Sequence, residues 1–252
     1  MKVINMNQEF EAVVIDNIQS LGNDKELHQL TREWLCKSGK HNYVYNFSWL
    51  GRPIIQLPQD MVAIQELIWR VRPDLIIETG VAHGGSVIFS ASMLALLEKC
   101  NLIKKGLVVA IDIDIRESNR VEIENHPLSS YIRTMEGSSI DAEIVNQVKS
   151  IAKRYNRVMV CLDSNHTHEH VLRELQVYAP MVSLESYCVV FDTCIEDTPD
   201  EFYTDRPWCK GNNPKTAVWE YLKSNDDFQI DKTIENKLVI TSAPDGFLKR
   251  VK

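Results

Sequence analysis

An α/β fold built on a Rossmann-like, doubly wound parallel sheet is predicted from three observations. Short apolar strands alternate with helices from Pro58 onward, a glycine-rich turn directly follows the first of those strands, and an aspartate ends the second. Ahead of the alternation, apolar residues recur at helical spacing over about 7–37: Phe10, Val13, Val14 and Ile18, then Leu27, Leu30, Trp34 and Leu35, with Gly22 and Asn23 interrupting them. This predicts a helical N-terminal extension. The polar and aromatic stretch 41–51 fits neither period, ends in the turn signals Gly51 and Pro53, and reads as a loop packed near or over a site. The expected division is therefore an extension with its loop, 1–57, and a ligand-binding domain, 58–252.

Within the domain, a helix over about 58–71 leads to the strand Leu75-Ile76-Ile77-Glu78, and a second helix runs over about 85–98. Further strands are read at 107–111, 131–135, 158–162 and 187–191, with helices near 141–154 and 166–178. Strands that are apolar almost throughout belong to a parallel sheet covered on both faces. A long loop, a helix over about 214–223 and two short strand candidates near 228–230 and 238–241 complete the chain, the last two expected as a closing hairpin at one edge.

At 252 residues the chain has room for one large core and a short appendage. With 44% hydrophobic and 25% charged residues it reads as a packed domain rather than a disordered one. Its formal net charge of −7, with no run of lysine or arginine, removes the field that a nucleic-acid partner would need. Cys36, Cys100, Cys161, Cys188, Cys194 and Cys209 form no C-x-x-C pair, so reduced thiols in a cytoplasmic protein are expected. Residues 1–11 lack the apolar run of a signal peptide, and no stretch reaches the roughly 20 apolar residues of a spanning helix, so no membrane partner is expected.

In a doubly wound sheet the ligand lies beyond the carboxyl ends of the strands, which directs attention to the residues just after them. The first strand runs into Glu78-Thr79-Gly80-Val81-Ala82-His83-Gly84-Gly85-Ser86. Its G-x-x-x-G-G spacing departs from the G-x-G-x-x-G of a nicotinamide site. The second strand ends Ile111-Asp112-Ile113-Asp114; Asp112, nearer the apolar strand, is the carboxylate expected to accept ribose hydroxyls. Together with the glycine turn it points to an adenosine-containing ligand. The third strand gives Met135-Glu136-Gly137-Ser138-Ser139, a polar turn suited to an adenine ring.

These blocks, with Ser48-Trp49-Leu50-Gly51, Pro73-Asp74-Leu75-Ile76-Ile77-Glu78-Thr79-Gly80, Gly84-Gly85-Ser86, Leu162-Asp163-Ser164-Asn165-His166, Glu174-Leu175 and Phe191-Asp192-Thr193, resemble the cephalosporin hydroxylase and rhamnosyl O-methyltransferase family, which includes macrolide sugar O-methyltransferases. The resemblance implies a class I methyltransferase sheet, S-adenosylmethionine in the glycine turn, Mg2+ or another divalent cation, and a homo-oligomer. It implies a small-molecule acceptor, a hydroxyl of a sugar or glycosylated metabolite. Carried over residue by residue, it makes Asp163 and Asp192 metal ligands and His166 the general base, with Asp163 also beside the donor. The donor would be held by Glu78, Thr79, Gly80, Gly84, Gly85, Ser86, Asp112 and Ser138. One position departs from the pattern: well-understood members carry an acidic residue immediately before the second aspartate, where this chain has Phe191. The cation would then have fewer protein ligands, a substitute such as Glu196 or Asp197, or no site.

That chemistry is coherent. A sugar hydroxyl is a weak nucleophile at neutral pH, a hard cation on carboxylates lowers its pKa, and a nearby imidazole takes the proton. Two rival readings stand beside it. An oxygenase would use Asp163, His166 and His170 as an iron-binding facial triad, and a non-catalytic adenosyl-ligand-binding protein would keep the glycine turn while its metal site decayed. His168 and His170 otherwise read as solvated helix residues, His83 as part of the turn, Lys215 as a surface lysine and Trp219 as a packing side chain.

Overall fold

The computed structural model describes residues 8–252; Asn7, where the N-terminal helix was expected to begin, lies outside them. The extension forms α1 (Gln8–Asn23) and α2 (Lys25–Gly39), separated where Asp24 caps α2 by accepting from the Leu27 amide at 2.9 Å. Helix α1 buries none of its residues and lies along a C-terminal helix, with Gly22 against Asn236.

The stretch read as a loop is ordered further than expected. A single 3-10 turn (Tyr43–Asn46) leads into a hairpin of β1 (Phe47–Trp49) and β2 (Arg52–Ile54). Leu50 (φ 45°) and Gly51 (φ 88°) make its two-residue turn, the positive-φ pair that matches strand twist. Strands of three residues are too short to show a period, which is why the pattern was illegible.

The main sheet follows: α3 (Pro58–Val71), β3 (Leu75–Thr79), α4 (Gly85–Lys99), β4 (Leu107–Asp112), α5 (Glu117–Glu124), β5 (Ile132–Glu136), α6 (Ala142–Ala152), β6 (Val158–Leu162), α7 (His168–Tyr178) and β7 (Tyr187–Val190). Helix α8 (Pro214–Lys223), β8 (Phe228–Ile230), α9 (Lys232–Leu238) and β9 (Phe247–Arg250) close it. The seven strands stand in the order β5-β4-β3-β6-β7-β9-β8, parallel from β5 through β7, with β9 antiparallel to both its neighbours. Successive β3 residues serve opposite faces: Ile76 packs with Leu67, Leu94 and Val108, whereas Leu75 and Ile77 pack with Val148, Val160 and Leu175. Each such side chain contributes about 1.5–3 kcal/mol by leaving water.

Two expectations need correction. Residues 238–241 are not a strand: α9 occupies 232–238, and the Asp60 carboxylate draws the next segment onto α3, accepting from the Thr241 hydroxyl at 2.5 Å and the Ser242 amide at 2.8 Å. The hairpin partner of β8 is instead β9, whose Phe247-Leu248-Lys249-Arg250 has no period-2 alternation. Helix α5, only eight residues and mostly polar, also escaped the apolar pattern.

Candidate active site

Strand order reverses between β3 and β6, with β4 on the other side of β3, so the residues leaving β3 and β6 share one crevice. The main chain itself joins the two exits. The Asp163 amide donates to the Thr79 carbonyl at 3.0 Å, and a Cβ on Gly80 (φ +90°) would lie 2.0 Å from the Asp163 carbonyl oxygen. Only glycine allows that approach. Gly85 is equally constrained on the other side: a Cβ there would lie 2.1 Å from the Pro53 carbonyl oxygen, which seats the hairpin against the first turn of α4.

The glycine turn is braced from both flanks. Asp112 accepts from the Val81 amide at 2.7 Å and the Ala82 amide at 3.2 Å through one oxygen and from the Asp114 amide at 3.2 Å through the other, so main-chain donors hold its carboxylate at the turn. Arg52 donates to the His83 carbonyl at 2.8 and 3.0 Å and to Asn119, and Asn119 in turn donates to the Ala82 carbonyl at 2.8 Å. It is thus the His83 main chain that the bracing uses. Glu78, Thr79 and Gly85 are buried, with Gly84 buried at φ +84° and Ser86 half-buried. Ser138 lies half-buried in the turn after β5, while its neighbour Ser139 makes the contacts there, with His170 and with the Tyr178 hydroxyl.

Beyond β6 and β7 a second group gathers. Ligand atoms of Asp163, His166 and Asp192 lie within 4.8 Å of one another, and His166 Nε2 stands 3.2 Å from Asp192 Oδ2. His166 is on the link before α7, ahead of the Thr167 cap, so it leaves the strand end rather than the helix. The Trp208 ring meets it edge-on at 4.7 Å. Asp192 adopts φ 56°, a left-handed conformation that turns the chain sharply out of β7.

Burial and the charge of Asp192 hold the Asp163 carboxyl well above the usual carboxylate range, with Glu78 adding to the effect and a hydrogen bond from Gln56 opposing it. Burial likewise pushes Glu78 up to about 7 against hydrogen bonds from Ser86 and Ser90. Glu78 Oε1 is buried without a hydrogen-bond partner. Two hard carboxylates and an imidazole in mutual reach, with an orphaned acidic oxygen nearby, form a donor set that fits a divalent cation beside a cationic ligand.

Several expectations change. Glu196 and Asp197 are occupied elsewhere: Glu196 accepts from the Gly211 amide (2.7 Å) and Asn213 Nδ2 (2.5 Å), and Asp197 accepts from Lys215 Nζ at 2.6 Å. Phe191 is 4% exposed and belongs to the core. His168 and His170 are half-buried and partnered rather than free in solvent. His168 contacts Thr216 at 2.8 Å and Glu220 at 3.2 Å, and His170 contacts Ser139 at 3.0 Å and Ser164 at 3.3 Å, beside the fully buried Glu174. With His170 turned to those serines, the facial triad of an oxygenase does not form. Lys215 is buried rather than superficial. Sequence reasoning missed Gln56, Trp208 and Glu174 as site neighbours, although Glu174 stands in the block Glu174-Leu175 that carries the resemblance.

The family model described as rhamnosyl O-methyltransferase/CmcI matches residues 41–251. The rhamnosyl O-methyltransferase of Mycobacterium tuberculosis is 29% identical over 195 residues, covering 76% of this chain and 73% of its own. That of Mycobacterium leprae is 26% identical over 214 residues, covering 83% and 86%. Among solved structures, an apo form of CmcI superposes with a TM-score of 0.56 at 19% identity over 82% of this chain and 77% of its own. A CmcI structure described with Mg and SAM gives 0.54 at 18% identity, covering 82% and 78%. These structures share the class I methyltransferase fold, and the chain belongs to the rhamnosyl O-methyltransferase/CmcI family.

Proposed function

We propose that this protein is an S-adenosylmethionine-dependent, metal-assisted O-methyltransferase acting on a hydroxyl of a sugar or glycosylated natural product. The observation that carries the reading is the contact between the two halves of the crevice: the Gly80 turn rests on the Asp163 main chain, whose side chain belongs to the Asp163–His166–Asp192 cluster. A donor in the turn and an acceptor at the cluster are thereby adjacent, as an in-line displacement requires. The names of the relatives and the ligands named for the CmcI structure, Mg and SAM, support the same donor and cation.

In this reading Asp112 takes the ribose hydroxyls and Ser138 lies by the adenine. Thr79, Gly80, Gly84, Gly85 and Ser86 form the wall of the turn, and Glu78 offers its unsatisfied oxygen to the ammonium of the methionyl group. Asp163 and Asp192 hold the cation. When bound, the cation and the sulfonium supply an acidified hydroxyl and a reactive methyl group. His166, its ring held edge-on by Trp208, would accept the hydroxyl proton as the acceptor oxygen bonds to the methyl carbon and the carbon–sulfur bond breaks, the electron pair leaving with S-adenosylhomocysteine. Residues 58–252 would form the donor-binding domain, and 1–57 an extension beside the acceptor. No helix among the described residues is long and apolar enough to cross a membrane. Six free cysteines support a reducing, cytoplasmic setting. Leu50, Trp69 and Leu96, each about half exposed, support a homo-oligomer.

The test is transfer of labelled methyl from S-adenosylmethionine to rhamnosides and related glycosides. Transfer should stop on chelation and return with Mg2+. Oxygen uptake without methyl transfer, or transfer indifferent to chelation, would refute the reading.

A further inference from the structure

Although the chain is acidic overall, with 28 lysine and arginine residues against 35 aspartate and glutamate, cations from two separate segments meet in one groove. Its volume is about 580 Å3. Arg32 and Lys37 line the groove from α2 and Lys40 from the cap residue that follows, and Lys210 lines it from the loop after β7. All four are exposed, and none is engaged in an ion pair among the described residues. Among the described side chains that line it, the acidic groups are Glu33, which accepts from Gln29, and Asp197, which is paired with Lys215.

A helix C-terminus favours lysines such as Lys37 and Lys40 without any ligand. That does not account for Arg32, in the middle of α2, nor for Lys210. Lys210 occupies the tip of a tight turn in which Cys209 and Asn212 exchange main-chain hydrogen bonds and Gly211 adopts φ +81°. Glu196 fastens that turn through the Gly211 amide. A solvated lysine needs no such mounting.

The groove is joined to the candidate cation cluster by one element. The 3-10 helix Thr193–Asp197 starts after Asp192, a cluster member, and ends at Asp197, in the wall of the groove. At roughly 2 Å per residue this places the two about 10 Å apart, a gap that a sugar ring and its phosphoryl linkage bridge.

We propose that this groove binds the phosphate or diphosphate of the methyl acceptor, so that the acceptor is a phosphorylated sugar: a nucleoside diphosphate sugar or another glycosyl phosphate. The sugar's position rests on the methyltransferase reading; the anion site does not. Arg32 offers a fork for paired phosphate oxygens, and the three lysines act as point charges around it.

The experiment is calorimetric titration of the full chain with inorganic pyrophosphate, uridine diphosphate and, separately, S-adenosylhomocysteine. The native chain should bind pyrophosphate saturably, with affinity falling as salt rises. An Arg32→Ala/Lys40→Ala/Lys210→Ala variant should bind it at least about tenfold more weakly while keeping its S-adenosylhomocysteine affinity. Tighter binding of uridine diphosphate than of pyrophosphate supports a nucleotide source; equal binding supports recognition of the phosphates alone. No saturable binding of either probe, or equal binding by native and variant chains, overturns the proposal. Pyrophosphate binding by a chain that does not bind S-adenosylhomocysteine would sink the methyltransferase reading and leave the anion site standing.

Discussion

The two sides of the crevice are held by different kinds of contact. Around the glycine turn the constraints are main-chain: strand register brings Thr79 beside Leu162, Gly80 and Gly85 lie where any Cβ would strike a carbonyl oxygen, and Asp112 grips two turn amides. Around Asp192 they come from side chains of a long loop. Thr193 donates to the Pro244 carbonyl at 2.6 Å, Glu196 holds Gly211 and Asn213, Lys215 holds Asp197, and Trp208 steadies His166. A donor common to a whole fold class suits a rigid backbone cradle. An acceptor that differs between relatives suits a loop re-specified by a few side chains.

Paired glycine substitutions sharpen that contrast. Gly80→Ala forces a side chain into a positive-φ position and onto the Asp163 carbonyl, and should lower stability by about 4 kcal/mol or more and abolish S-adenosylhomocysteine binding. Gly211→Ala, also at positive φ but with nothing within 4 Å of the added carbon, should lose only about 1–2 kcal/mol and leave that binding intact. Denaturant titration of both variants provides the comparison; similar losses at the two positions would break it.

A smaller effect concerns Glu78, buried under the turn. Its carboxyl is raised from 4.5 to about 7 in the fold, so the protonated form is the better folded one. Its stabilising contribution is complete below about pH 4.5 and disappears as pH rises through 7. In ligand-free protein the stability advantage of Glu78→Gln over the native chain should therefore grow by about 3 kcal/mol between pH 4.5 and 8, read from chemical denaturation at each pH. A pH-independent difference would mean that Glu78 is not desolvated.

The same contrast explains what was legible beforehand. The helix at 58–71, the strand at 158–162 and the helix at 214–223 were readable because apolar periodicity and proline starts are local signals. Gly80, Gly85 and Asp112 were readable because strand ends in a doubly wound sheet announce their ligand. Of the three closely spaced histidines, His166 was singled out by the family resemblance and does lie in the cluster, whereas the contacts of His168 and His170 were not readable. Whether His166, His168 or His170 reaches the cluster depends on α7 beginning at His168, a boundary within the ordinary uncertainty of helix starts. Gln56, Trp208 and the cationic groove come from residues far apart in the chain, and no local pattern marks such meetings.

The central claim is that one crevice holds a donor by its backbone and a cation by Asp163 and Asp192. Titration of S-adenosylhomocysteine and of Mg2+ into native and Asp192→Ala protein tests it most directly. The variant should keep its S-adenosylhomocysteine affinity within about twofold and lose saturable Mg2+ binding. A variant that binds Mg2+ as well as the native chain would contradict the account.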